Sequence, residues 1–178
     1  MREPEVNLRK EWKWRLWYPR SFAAADGAWG TLLRNMDSKA RDGARMKTEL
    51  LRFNGAQERD PAIEAWMNAH GGELGAIARE WFEVMRRCGD EVREVFHDGC
   101  PVACLGDAPF GYVNVFTSHV NVGFFHCAAL PDPGSLLQGA GKFMRHVKLR
   151  PGAATDAVSL NRLIEAAYAD IKARVENG

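Results

Sequence analysis

Histidine and cysteine gather at two places in this chain. The stretch "HDGCPVAC" supplies His97, Cys100 and Cys104, and His126 and Cys127 follow downstream. Imidazole and thiolate are the ligands Zn²⁺ prefers, and four such donors would close a tetrahedral site. The spacing argues against it. It is H-x2-C-x3-C rather than the paired C-x2-C of structural zinc sites, and two cysteines four residues apart on an extended strand stand far from each other. A Cys–His nucleophile using Cys100 or Cys127 would need an accessible thiolate with a base in reach, and the sequence shows neither. The four cysteines therefore read as reduced thiols, and Cys88, on the apolar stripe of a helix, as a small core residue. His97-Asp98-Gly99 reads as a turn in which Asp98 caps local N–H groups, with His97 as an alternative base or metal ligand at the sheet edge.

A second group of residues suits an anion. "GSLLQGAGKFMRH" contains Gly139, Gly141 and Lys142 but fails the phosphate-loop pattern, because Leu136 stands where the first glycine belongs and Phe143 replaces the Mg²⁺-binding hydroxyl. Lys142, Arg145 and His146 still follow a flexible glycine pair, and could hold an anion by charge-assisted hydrogen bonds. The alternative is a loop that needs its glycines only to enter a strand.

The third group lies on "YVNVFTSHVNVGFF", residues 112–125. Val113, Val115, Val120 and Val122 share one face of the hairpin that this pattern predicts, turning at Thr117-Ser118 with Asn114 opposite Asn121 and Phe116 opposite His119. The other face carries Tyr112, Asn114, Phe116, His119, Asn121 and Phe125, and a strand over 143–150 adds His146 and Lys148 to it. Amides, imidazoles and aromatics replace the Thr, Lys and Glu usual on a solvated sheet, which suits a bound ligand or a protein contact equally.

The elements that must position these residues can be read in outline. Asp60-Pro61 opens a helix carrying Ile63, Trp66 and Met67, which stops at Gly71-Gly72. A second helix places Leu74, Ile77, Ala78, Trp81, Met85 and Cys88 on one stripe and ends at Gly89. "CPVACLG" reads as a short strand entered through Pro101 at a sheet edge. After Pro151-Gly152 a last helix, capped by Thr155 or Asp156, carries Leu160, Leu163, Ile164, Ala167, Tyr168 and Ile171. Helices, then strands, then a helix indicate an α+β domain, a two-layer sandwich with helices packed on one face of an antiparallel sheet.

Composition bounds the rest. The chain has 178 residues, 46% of them hydrophobic and 26% charged, enough for one full core. No apolar run approaches the roughly 20 residues of a membrane span, and no secretory h-region leads the chain, so a cytoplasmic location with no membrane partner is expected. Residues 1–47 carry 11 Lys and Arg against 6 Asp and Glu, whereas residues 48–178 carry 13 against 17. The main body is mildly acidic, which disfavours nucleic acid as its partner. Residues 1–45, basic and rich in tryptophan, are expected to be a flexible extension, a mis-assigned start or an arm for single-stranded nucleic acid, leaving 46–178 as the folded domain.

The segment from "HDGCPVAC" through "GFFHCAALPDPGSLLQGAGKFMRHVKLR" resembles the YdhG-like family of small bacterial domains. The resemblance lies in His119, Gly123-Phe124-Phe125, Leu130, Asp132-Pro133, Leu136-Leu137, Gly139, Gly141-Lys142 and Arg145-His146, and departs from it at Cys127, where the family has Gly. It implies a frataxin-like fold, and most members have no assigned activity. One has been treated as a frataxin-like iron chaperone, which makes iron the cofactor or cargo implied. Frataxins bind iron on an acidic ridge, for which Glu73, Glu80, Glu83, Asp90, Glu91 and Glu94 stand here, interrupted by Arg79, Arg86, Arg87 and Arg93. The expected function is thus non-catalytic binding of a ligand or metal ion, with the metal ligands unassigned. The alternatives are a small enzyme on an anionic metabolite, with His119 or His97 as acid/base and Lys142 and Arg145 as clamp, or a module that pairs with its own arm or a second copy through the sheet face. The candidate ligand-binding set is His97, Asp98, Tyr112, Asn114, His119, Asn121, Lys142, Arg145 and His146.

Overall fold

A computed structural model describes residues 50–127 and 130–177. The basic, tryptophan-rich segment at 1–45, and the readings attached to it, lie outside the described residues. Within them an antiparallel five-stranded sheet is combined with three helices, an α+β architecture. The helices are α1 (Pro61–Ala69), α2 (Gly72–Arg86) and α3 (Ala157–Glu176). The strands are β1 (Val92–His97), β2 (Cys100–Leu105), β3 (Ala108–Val115), β4 (Val120–Phe124) and β5 (Arg145–Leu149), adjacent in sequence order across the sheet.

Local chemistry explains most boundaries. Asp60 caps α1 by accepting from the Ala62 N–H at 2.9 Å, with Pro61 at the first helical position. Asp156, rather than Thr155, caps α3 through the Ser159 N–H at 3.0 Å. Asp98 and Gly99 both have positive φ, 49° and 81°, so β1 and β2 are joined by the mirror-image turn that matches strand twist. Val113 lies opposite Val122 and Asn114 opposite Asn121, the register expected from the valine pattern.

Two features depart from expectation. β1 is an additional strand, and it takes the edge position, so β2 is internal. Pro101 pairs with Phe96 one residue before the β2–β3 ladder begins at Val102, so its missing N–H costs no ladder bond. The main core joins Ile63, Trp81, Phe82, Met85, Leu160 and Ile164 from the helices to Val113, Val120, Val122 and Val147 from the sheet. On the other side of the strands a second cluster forms from Val95, Cys100, Val102, Cys104, Tyr112 and Phe125, with Leu51, Phe53, Ala56 and Met144 against it. Tyr112 and Phe125 are therefore buried, at 3% and 8% exposure, and do not stand on an open face. Residues 51–56 cover that half, held by the Phe53 N–H on the Asp107 carbonyl and by paired backbone bonds between Gln57 and Glu94.

Candidate functional site

Strand alternation sorts the candidate residues before any chemistry is considered. On β5, Val147 and Leu149 enter the main core, so Arg145 falls on their side while His146 and Lys148 face the other way. Arg145 also spends its guanidinium on its own loop, donating to the carbonyls of Gly141 and, at 2.8 Å, Met144. Lys142 is exposed, its ammonium 5.1 Å from the Phe143 ring centroid. The expected clamp of Lys142, Arg145 and His146 is thus divided, because a step of one residue along a strand reverses the face.

His97 and Asp98 are separated from the rest too. His97 ends β1 and stacks on Phe53 with centroids 4.0 Å apart, its Nε2 3.6 Å from an Asp98 carboxylate oxygen. Three inter-strand spacings, about 14 Å, lie between β1 and β4. His97 and His119 therefore do not share one site.

What the sheet does bring together is a grid of three rows on β3, β4 and β5. Tyr112 lies beside Gly123, and Gly123 beside His146; Asn114 lies beside Asn121, and Asn121 beside Lys148. One row further, Phe116 stacks parallel on His119 at 4.7 Å between centroids, and Arg150 follows Lys148 by two residues on the same face. Arg150 was recognisable from the same alternation, one step past the strand. The rows are closely fitted: a Cβ on Gly123 would overlap the Tyr112 ring, so glycine there lets the ring cross the neighbouring strand. Beyond His146, backbone bonds between His146 and Gln138 in both directions tie the glycine-bearing loop to β5.

The electrostatics of this grid are consistent with its geometry. Burial and then Lys148 and Arg150 lower the His119 pKa. Burial, Lys148 and His119 lower that of His146. Both imidazoles are thereby biased to the neutral form beside a standing positive charge. At the centre, Asn121 Oδ1 is buried without a hydrogen-bond partner, the one such side-chain atom among the described residues. An amide oxygen in that state carries a desolvation cost of about 1–3 kcal/mol until a donor reaches it.

The cysteine chemistry weighed from sequence finds no support in the surroundings of the thiols. Cys100, Cys104 and Cys127 are buried, and burial pushes Cys104 and Cys127 up to about 12. Cys100 and Cys104 sit in the second apolar cluster, and among the described residues no group of three or more His, Cys, Asp or Glu side chains could hold a metal ion. Three of the six acidic positions considered for a ridge are engaged by cations. Glu94 is 1% exposed and bonded to Arg86, Glu83 pairs with the same guanidinium at 2.5 Å, and Glu91 accepts from Lys172 and Tyr168. Those two bonds, Lys172 first, hold the Glu91 carboxyl down at about 2.

No protein-family model, no curated protein and no solved structure matches this chain. No helix among the described residues is long and apolar enough to cross a membrane.

Proposed function

We propose that the chain is a non-catalytic binding protein for a small hydroxylated anion, held on the β3–β4–β5 grid. The observation that carries this reading is the buried, unpartnered Asn121 Oδ1 between Asn114 and Lys148. With the Asn121 amide turned outwards, a ligand hydroxyl would donate to that oxygen, Lys148 and Arg150 would take the negative charge, and the His119 and His146 imidazoles would complete the ring of polar contacts. The Phe116 ring, fixed on His119, offers an apolar edge. Such a role accords with the two-layer, YdhG-like and frataxin-like arrangement that the sequence resemblance implies.

Iron handling fits the side chains less well. Three of the six carboxylates that would serve it, Glu83, Glu91 and Glu94, are neutralised by Arg86 and Lys172, and cations rather than acids flank the histidines of the grid. An acid/base enzyme using His119 or His97 with Lys142 and Arg145 as clamp would need groups that the sheet disperses.

Calorimetric titration of the full chain with L-malate and with inorganic phosphate tests the proposal. Saturable binding of malate, weakened about tenfold or more by Lys148→Ala and by Asn121→Ala, is expected. Malate affinity unchanged in both variants, or no saturation by either anion, would overturn it. A stable dimer that Asn121→Ala dissociates would instead assign the face to a second copy.

A further inference from the structure

A groove of about 440 Å³ lies between α2 and α3, away from every residue of the grid. Two helical stripes form it. Val84, Arg87 and Cys88 come from the end of α2 at spacings of three and four, and Asn161, Glu165 and Tyr168 from α3 at spacings of four and seven. Cys88 was expected on the buried stripe; it is half-buried and lines this groove.

Several charges near the groove are already paired. Arg86 pairs with three glutamates, Glu91 with Lys172, and Arg174 with Asp170. Among the described residues Arg87 and Glu165 form no ion pair, with each other or with a third group. Both line the same groove as the Cys88 thiol, whose pKa is raised first by burial and then by Glu165 and lowered by Arg87.

One wall of the groove is held in place by Tyr168. Tyr168 donates its hydroxyl to Glu91 at 2.5 Å, and Lys172 lies 5.8 Å over its ring. Gly89 leaves the room that ring needs, since a Cβ there would overlap the Tyr168 hydroxyl. A rigid, partly apolar groove with one cation and one anion at its rim has the chemistry of a zwitterion site, and its size falls in the range of small-molecule pockets.

We propose that this groove binds a small zwitterion of the free α-amino-acid class with an apolar side chain. Its carboxylate meets the Arg87 guanidinium as a two-pronged pair, and its ammonium meets Glu165, with the Asn161 amide beside it. Its side chain lies on Val84, Cys88 and the Tyr168 ring. Neither charge need be stripped from an existing partner for the ligand to enter, so binding costs less than at an already paired site.

Titration of the full chain with L-leucine, N-acetyl-L-leucine and L-leucinamide separates the contributions. Leucine should bind saturably, and each analogue, lacking one of the two charges, about tenfold or more weakly. Arg87→Gln should weaken leucine but leave leucinamide unaffected, and Glu165→Gln should weaken leucine but not N-acetyl-leucine. Both side chains are exposed, so the fold should survive, as circular dichroism would verify. Lys148→Ala should leave leucine affinity unchanged, which keeps this site independent of the grid. Equal affinity for the three compounds, or no saturation by leucine in the millimolar range, overturns the inference.

Discussion

Arg86 and Glu94 bind each other twice below the end of α2. The guanidinium donates Nε–H to one carboxylate oxygen at 2.7 Å and a second N–H to the other at 3.0 Å, with both side chains nearly excluded from water. The same carboxylate accepts the Asp60 N–H at 2.8 Å, so one buried acid on the edge strand joins β1 to both α1 and α2. Burial alone would lower the Arg86 pKa, but the bonds from Glu94, Glu83 and Glu64 outweigh it and the net shift is upward.

Removing one partner of such a pair strands the other. Arg86→Met should cost about 3–5 kcal/mol, because Glu94 would keep its charge with only the exposed Arg59, 3.6 Å away, as counter-ion, or must take a proton. Arg86→Met/Glu94→Leu should recover part of the loss but not all, since the Asp60 N–H then lacks its acceptor. Urea unfolding of the two variants checks this; a single variant losing under about 1 kcal/mol would show that the carboxylate is not buried as a charge.

Asp60 divides its carboxylate between two elements. Oδ1 caps α1 and Oδ2 accepts the Phe96 N–H of β1 at 2.8 Å. Asp60→Ala should therefore cost about 2–4 kcal/mol, the sum of a lost cap and an orphaned strand N–H. Asp60→Asn keeps one acceptor and should cost less than half as much. Equal losses in the two variants, measured by urea unfolding, would mean that only one of the bonds contributes.

These two residues also show where sequence reasoning reached its limit. Asp60-Pro61 was legible as a helix start because capping is local, but the second bond to β1 depends on packing between distant segments. β1 itself was hidden by Glu94. Val92, Glu94 and Phe96 point to the helices, and a carboxylate in the middle of that row breaks the apolar alternation that marks a strand. The β3–β4 hairpin was legible because four valines share one face and fix the register. The covering of Tyr112 and Phe125 by residues 51–56 was not, since nothing local in "LRFNGA" indicates which surface Phe53 will meet. Of the candidate residues, Asn114, His119, Asn121 and His146 converge on the grid, while His97, Lys142 and Arg145 fall elsewhere because their strands or faces differ.

The Tyr112–Gly123 pair gives a steric prediction. Alanine at 123 would place its methyl in the Tyr112 ring, so Gly123→Ala should destabilise by about 1–3 kcal/mol despite the usual preference of strands for a side chain over glycine. In a Tyr112→Val background the same change should cost less than about 0.5 kcal/mol or become favourable. A double-mutant cycle by thermal unfolding checks the coupling, and additive effects would contradict the close approach of ring and strand.

The histidines set a pH dependence whose sign follows from their shared direction of shift. His119, His126 and His146 all fall below the ordinary value of 6.5, burial being the first cause for each. The unfolded chain therefore binds more protons than the folded one once pH drops towards 6.5 and below. Their contribution to stability is fully present above that value and is lost as pH falls through the lower, folded-state values. Tm should decline from pH 7.5 to pH 5, and His146→Gln should flatten part of that slope. Lys148→Ala tests the grid itself, because Lys148 lowers both His119 and His146. In that variant both imidazoles should titrate at higher pH by NMR, whereas His126, whose cationic neighbour is Arg174, should not move. An unchanged titration of His119 and His146 would show that Lys148 does not stand between them, and would remove the cation on which anion binding at this face depends.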